Sequence, residues 1–153
     1  MLSDLERGEI EHALEQYPDR RAGSVESLRI VQRHRGWISD EALKDIAAFL
    51  HMTPDELDGV ATFYNLIFRR PVGRHVVLVC NSITCWIAGS DDLIKETESR
   101  LALKLGETSA DGRLTVLPIV CLGACDRAPA IMVDDELHQA RPGTMTDILQ
   151  RCK

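Results

Sequence analysis

No G-x-G-x-x-G follows a strand-like run in this 153-residue chain, and no P-loop occurs, so nothing binds NADH, flavin or nucleotide phosphates by a known fingerprint. No nucleophile-and-base arrangement supports independent catalysis. No apolar run approaches the ~20 residues needed to span a bilayer. The start, MLSDLERGEIEHAL, has neither a basic n-region nor an apolar h-region, which predicts no secretory signal. Basic residues are in deficit: 18 Lys and Arg stand against 24 Asp and Glu, for a net charge of −6. The acidic excess holds on both sides of Arg74 and argues against phosphate-backbone binding as the main activity. C-x-x-C is absent as well, which removes a thioredoxin-type redox pair. Internal repeats and low-complexity tracts are missing too.

What is present is ordinary globular sequence, 44% hydrophobic and 27% charged, with five cysteines. Without a secretory signal they are expected in a reducing cytosol, where metal binding or redox chemistry outranks structural disulfides. Residues 1–73 read as a small helical bundle. Ser3 with Glu6 makes a capping box ahead of Ile10, Ala13, Leu14 and Tyr17. Ser24 is the expected cap of a second helix carrying Val25, Leu28 and Val31, closed by Gly36. Ser39 opens a third, with Leu43, Ile46, Ala47 and Leu50 inward. Thr53, Pro54 and Glu56 open a fourth, with Leu57, Val60, Ala61 and Tyr64 as its stripe. The run Arg69-Arg70-Pro71-Val72-Gly73 breaks the periodicity and sets the expected domain boundary.

Residues 74–153 follow a different grammar. Residues 76–79 form a continuous apolar, mostly β-branched run, as in a strand buried on both faces. Ser90 is the expected cap of a helix with Asp91 and Asp92 in its first turn, Leu93, Thr97, Leu101 and Leu105 inward, and Gly106 as its stop. Residues 114–120 predict a second strand, in which Pro118 indicates an edge position. Residues 131–133 and 137–139 flank an acidic turn and predict a hairpin. Thr144 and Asp147 predict a last helix bearing Met145, Ile148, Leu149 and Cys152. The order β-α-β-β-β-α is a thioredoxin-like α/β layer, so the expected fold class is α+β, a helical bundle followed by that layer.

This order brings the cysteines together. A strand–helix–strand crossover returns the chain parallel to its start. In HVVLVCNSITCWIAG and VLPIVCLGACDRAPAIMV, Cys80 and Cys121 therefore end neighbouring strands at one edge of the sheet, where open α/β sheets bind ligands. Cys85 and Cys125 lie in the loops beyond. The spacing C-x4-C, thirty-five residues, C-x3-C suits a two-iron, two-sulfur cluster. A four-thiolate zinc remains open, although structural zinc favours C-x2-C knuckles, and so does the absence of any site. A Rieske centre needs two histidines beside the cysteines, and none of His12, His34, His51, His75 or His138 is so placed.

GVATFYNLIFRRPVGRHVV, CNSITCWIAGS, GETSADGRLTVL and CLGACDRAPAIMVDDELH together resemble the family of NADH-quinone oxidoreductase E subunits, over residues 10–153. These are the thioredoxin-like [2Fe-2S] ferredoxin subunits of respiratory complex I. Related chains are the gamma subunit of NAD-dependent formate dehydrogenases and the diaphorase subunit of bidirectional hydrogenases. The resemblance implies one [2Fe-2S] cluster on Cys80, Cys85, Cys121 and Cys125. It implies a partner, the FMN- and NADH-binding F subunit, and a cytoplasmic place in the peripheral arm of the complex. The chain is then a subunit of an oxidoreductase with no catalytic residue of its own. The rival from another class is a zinc-stabilised adaptor whose helical half recruits partners.

Other residues have plainer readings. Cys152 falls on an apolar helix stripe and is expected to pack. Trp86 either shields the cluster from water or anchors its loop into the core. Asp126 and Arg127 read as solvated loop charges, and Asp134-Asp135-Glu136 as an exposed hairpin tip. AAFLHMTPDELDGVATF mimics a helix-turn-helix, but its second helix carries Asp55, Glu56 and Asp58 with no Lys or Arg, so phosphates would repel it. Phe63, Tyr64 and Phe68 beside Arg69 and Arg70 read as partner-docking surface.

Overall fold

Two reciprocal caps start the helical part of the chain. In the computed structural model, which describes residues 1–141, 150 and 152, Ser3 Oγ accepts from the Glu6 N–H and the Glu6 carboxylate accepts from the Ser3 N–H. Thr53 and Glu56 repeat that box, with Pro54 at the first helical position. The chain forms two compact units, Met1–Pro71 and Val72–Lys153.

The first unit holds α1 (Asp4–Leu14), a 3-10 turn (Arg20–Gly23), α2 (Ser24–Arg35), α3 (Asp40–Leu50) and α4 (Pro54–Phe63). Ile10, Leu28, Val31, Ile46, Leu50 and Leu57 are fully buried in its core. The expected Ser24 cap is not made. Gly23 occupies the N-cap position of α2 without a side-chain bond, and Asp19 instead caps the preceding 3-10 turn through the Arg21 and Ala22 N–H groups. Tyr64 leaves the α4 stripe, since the helix ends at Phe63 and Tyr64 turns to extended backbone.

Arg69 also departs from expectation. Its guanidinium donates to Asp58 Oδ1 at 2.7 Å, to Asp40 Oδ1 at 2.7 Å and to the Ile38 carbonyl. With its side chain 20% exposed, it ties the segment after α4 to the start of α3 and the middle of α4. It is an internal clasp and not a free docking charge.

In the second unit, β1 (His75–Cys80), α5 (Ile83–Ile87), α6 (Ser90–Leu101), β2 (Leu114–Ile119), β3 (Ala130–Val133) and β4 (Glu136–Gln139) follow in order. The sheet order is β2-β1-β3-β4, with β1 parallel to β2 and antiparallel to β3. Val77 and Val79 on β1 pack with Leu93, Val116, Ile131 and Cys152. Pro118 is tolerated because β2 is an edge strand. Gly73 leads in where a Cβ would sit 2.7 Å from the Leu114 backbone nitrogen, so only glycine allows β2 to approach so closely.

Ser90 does not cap α6. Gly89 holds that position, and Ser90 Oγ is buried without a hydrogen-bond partner. The helix ends at Leu101, with Ala102 in the left-handed region, so Leu105 and Gly106 lie beyond it. Asp134 does more than tip a hairpin, because its carboxylate accepts from the Val76 N–H at 2.9 Å and meets His75 Nδ1 at 2.8 Å. Most of the predicted last helix lies outside the described residues. Among the described residues no helix is long and apolar enough to cross a membrane.

Glu6 and Arg35 form a buried ion pair in the first unit. Glu6 is 3% exposed and takes two guanidinium hydrogen bonds at 2.6 and 2.7 Å. Hydrogen bonding from Arg35 outweighs the cost of burial and holds its pKa at about 2, from an ordinary 4.5. A depressed folded-state pKa stabilises fully above about pH 4.5 and is lost as pH falls toward 2. Glu6→Gln should therefore cost about 3 kcal/mol at pH 7. Urea unfolding across pH should show the difference from wild type vanishing near pH 2.

Candidate functional site

β1 and β2 set the site. Their parallel register runs from His75 opposite Leu114 to Cys80 opposite Ile119, and the Asn81 N–H extends it by donating to the Ile119 carbonyl at 3.0 Å. Cys80 is thus the last residue of β1, and Cys121 lies two residues beyond the end of β2. Cys85 sits on α5, and Cys125 opens a 3-10 turn, Cys125–Arg127. Cys80 and Cys85 are buried, while Cys121 and Cys125 are exposed.

The side chains meet as the topology requires. The Cys80 thiol interacts with those of Cys85 and Cys121, and Cys85 is near enough to Cys125 for their charges to interact. Backbone N–H groups surround the sulfurs. Ser82 and Leu122 direct theirs at Cys80, Gly123 donates to Cys121 Sγ at 3.3 Å and Ala130 to Cys85 Sγ at 3.5 Å. Burial pushes both inner thiols up. At Cys80 the Ser82 and Leu122 N–H groups and the neighbouring thiols more than offset it, so its pKa is lowered. At Cys85 burial prevails over the Ala130 N–H, Cys80 adds to it, and the pKa is raised. Cys80 is therefore the more acidic of the two.

This donor set fits a two-iron cluster. Among the described residues no three His, Cys, Asp or Glu side chains converge tightly enough to hold one metal ion. A two-iron cluster has no need of such a point, because its four thiolates divide between two irons. Its sulfurs also accept N–H hydrogen bonds of the kind that line this site. Histidine takes no part: His75 is engaged by Asp134, and His138 lies 3.7 Å from Glu136.

No periodicity in the sequence announces α5, a five-residue helix that fixes Cys85, or the Ser82, Leu122 and Ala130 N–H groups. Ser82 at the α5 N-cap position is the available signal for the first. Trp86 is not a core anchor. It is 55% exposed, and its indole N–H donates to Asp91 Oδ2 at 2.8 Å. Asp126 and Arg127 are exposed and face each other at 3.7 Å. Cys152 is buried in the second core, where burial and then Asp134 push its thiol up.

A parallel β1–β2 pair closed by an antiparallel hairpin, with four thiols at and beyond the carboxyl ends of the parallel strands, is a thioredoxin-like frame carrying a candidate cluster site. Comparison with known proteins agrees: residues 10–153 match the thioredoxin-like [2Fe-2S] ferredoxin family, and the chain belongs to it. The NADH-quinone oxidoreductase E subunit of Pseudomonas aeruginosa is 47% identical over 151 residues, covering 98% of this chain and 91% of the relative. Its counterpart in Escherichia coli K12 is 45% identical over 153 residues, covering 99% and 92%. A crystal structure of an air-oxidised NAD+-reducing [NiFe]-hydrogenase shares the fold, with a TM-score of 0.72 at 22% identity over 85% of this chain and 22% of that one.

Gly123 is the backbone hinge of the second cysteine pair, at φ +70° with open space where a Cβ would stand. Gly123→Ala should therefore cost about 1–2 kcal/mol through backbone strain alone. Thermal unfolding of the two proteins would measure it, and an unchanged melting temperature would contradict the assignment.

Proposed function

We propose that Cys80, Cys85, Cys121 and Cys125 ligate one [2Fe-2S] cluster, and that this chain is the electron-transfer E subunit of an NADH-quinone oxidoreductase. Its partner in this reading is the F subunit that binds NADH and FMN, within the peripheral arm on the cytoplasmic side. Residues 74–153 carry the cluster, and residues 1–73 serve assembly. The observation that carries the reading is the meeting of four thiols, with backbone N–H donors on three of them, at one end of the β1–β2 pair.

The bound cluster would supply a one-electron couple. The chain's own contribution is to hold and tune it. Cys80 and Cys85 draw half the ligand set below the surface, which excludes water from that side. The N–H groups of Ser82, Leu122, Gly123 and Ala130 point positive dipoles at sulfur, which favours the more anionic reduced state. With no dinucleotide fingerprint in the sequence, the electrons must come from a cofactor held elsewhere.

Changing any one of the four cysteines to Ser should abolish or severely deplete the cluster, while Cys152→Ser should retain it. Iron and sulfide analysis with visible spectra of the purified variants would decide. A colourless wild-type protein holding zinc would establish the adaptor reading instead. Retention in one of the four, or loss in the Cys152 variant, would break the ligand assignment.

The isolated chain should neither oxidise NADH nor bind it at physiological concentration. Calorimetric titration with NADH should give no heat of binding, and stoichiometric binding to the chain alone would refute the carrier role.

A further inference from the structure

We propose that the Ser90 hydroxyl is a hydrogen-bond donor to the cluster, a side-chain contact that raises its reduction potential. The proposal rests on the [2Fe-2S] reading above and adds to the site a residue that the cysteine pattern does not name. Ser90 is 0% exposed, and its Oγ has no hydrogen-bond partner among the described residues. The other buried side-chain oxygen of that kind, Asp45 Oδ2, faces the Met1 ammonium at 2.8 Å, which leaves Ser90 Oγ as the unsatisfied one. Buried hydroxyls ordinarily find an acceptor nearby. Ser27 donates to the Gly23 carbonyl at 2.9 Å and Thr97 to the Leu93 carbonyl at 2.7 Å, each one turn back along its helix. Ser90 does not take that route. It is the first residue of α6, so the carbonyl four residues back belongs to Trp86 on α5 and already accepts from the Gly89 N–H at 3.0 Å. Nor does Ser90 cap its helix, because Gly89 holds that position.

The fold puts this hydroxyl at the thiol end of the sheet. Ser90, Leu93 and Thr97, at i, i+3 and i+7, form the buried face of α6. Leu93 packs with Val79 of β1 and Ile131 of β3. Because α6 carries the chain back between two parallel strands, it runs against β1, and its first residue stands where β1 ends, at Cys80. Ala88 and Gly89 alone separate it from α5, which holds Cys85. β3 ties the two together. The Ala130 N–H donates to Cys85 Sγ at 3.5 Å, and the next residue, Ile131, packs with Leu93, one turn from Ser90. A hydroxyl in this corner needs an acceptor, and a cluster seated on Cys85 brings acceptors as thiolate and sulfide sulfur. Asp91 and Asp92 follow directly but are exposed, and Asp91 Oδ2 is bonded to the Trp86 indole. Sulfur becomes more anionic when the cluster gains an electron, so the hydrogen bond strengthens and favours the reduced state.

The test uses the full cluster-loaded chain. In Ser90→Ala the ratio of reduced to oxidised cluster at a fixed poise should fall roughly tenfold, which is about 59 mV for a one-electron couple. Ser90→Thr keeps the hydroxyl and should restore the wild-type ratio. Ser99→Ala, at an exposed site on the same helix, should not move it. After exchange into deuterium oxide, pulsed paramagnetic resonance of the reduced chain should show a deuteron coupling that Ser90→Ala removes and Ser90→Thr retains. Packing alone would not produce that signature. An unchanged ratio in Ser90→Ala would overturn the donor and assign the hydroxyl to a buried water, while leaving the electron-transfer reading standing. A lowered ratio with the coupling intact would assign the effect to packing and overturn the donor as well. Should Ser90→Ala take up no cluster, Ser90→Gly decides by the same two readings. A wild-type chain that loads no [2Fe-2S] cluster would overturn the electron-transfer reading and the donor together.

Discussion

The parallel ladder between β1 and β2 is the constraint on which the site depends. Parallel neighbours joined by a crossover helix finish at the same end of the sheet, whatever the length of the connection. With Cys80 opposite Ile119, two cysteines far apart in sequence emerge side by side. Slipping the register by one residue would turn Val77 and Val79 away from Leu93 and Ile131, so the same packing that stabilises the unit also fixes where the sulfurs stand. Gly73 guards that register at the other end by letting the chain run against the Leu114 backbone.

Features written in hydrophobic periodicity and in side-chain caps are legible in the amino-acid letters alone. The Ser3–Glu6 and Thr53–Glu56 boxes, the Ser39 cap, the buried run of β1, the edge position of Pro118 and the acidic hairpin all take the expected places. Both misplaced caps follow a glycine. Ser24 and Ser90 carry the right side chain for a cap, yet Gly89 takes the cap position at φ +97°, and Gly23 takes it at an ordinary φ of −85° where a Cβ would meet Leu14 Cδ2 at 2.3 Å. Cap choice is decided by φ and ψ as much as by an oxygen. The α5 helix is too short for periodicity to announce, and backbone N–H donors have no signature in side-chain letters. For the cysteines, spacing and strand position imply the placement beyond the two strand ends, and topology, not local pattern, explains their approach.

The two units use charge differently. The first relies on it: Glu6 and Arg35 share a buried pair, and Arg69 clasps two aspartates and a carbonyl. A guanidinium suits such places because its planar fork satisfies several acceptors at once. This is why Arg69, which in sequence looks like half of a basic docking patch, is spoken for within its own unit. The exposed apolar side chains Phe63, Tyr64 and Leu66 remain on that unit's surface, and of the two arginines expected to accompany them Arg69 is engaged within the unit while Arg70 is exposed.

The thiol-bearing segments carry little of it, with no formal charge between residues 76 and 90 or between 114 and 125, although Asp126 and Arg127 follow Cys125 directly. An anionic cluster buried beside carboxylates would be repelled, and one beside a lysine or arginine would have its potential set by a side chain that moves and is screened by salt. Backbone dipoles avoid both problems. They are fixed by the fold, they point at sulfur from Ser82, Leu122, Gly123 and Ala130, and ionic strength barely touches them. The same stretch of chain leaves Ile83 and Ile87 exposed, with Trp86 tethered between them to Asp91. The fixed dipoles that would steady a redox centre and these exposed apolar side chains therefore share one segment.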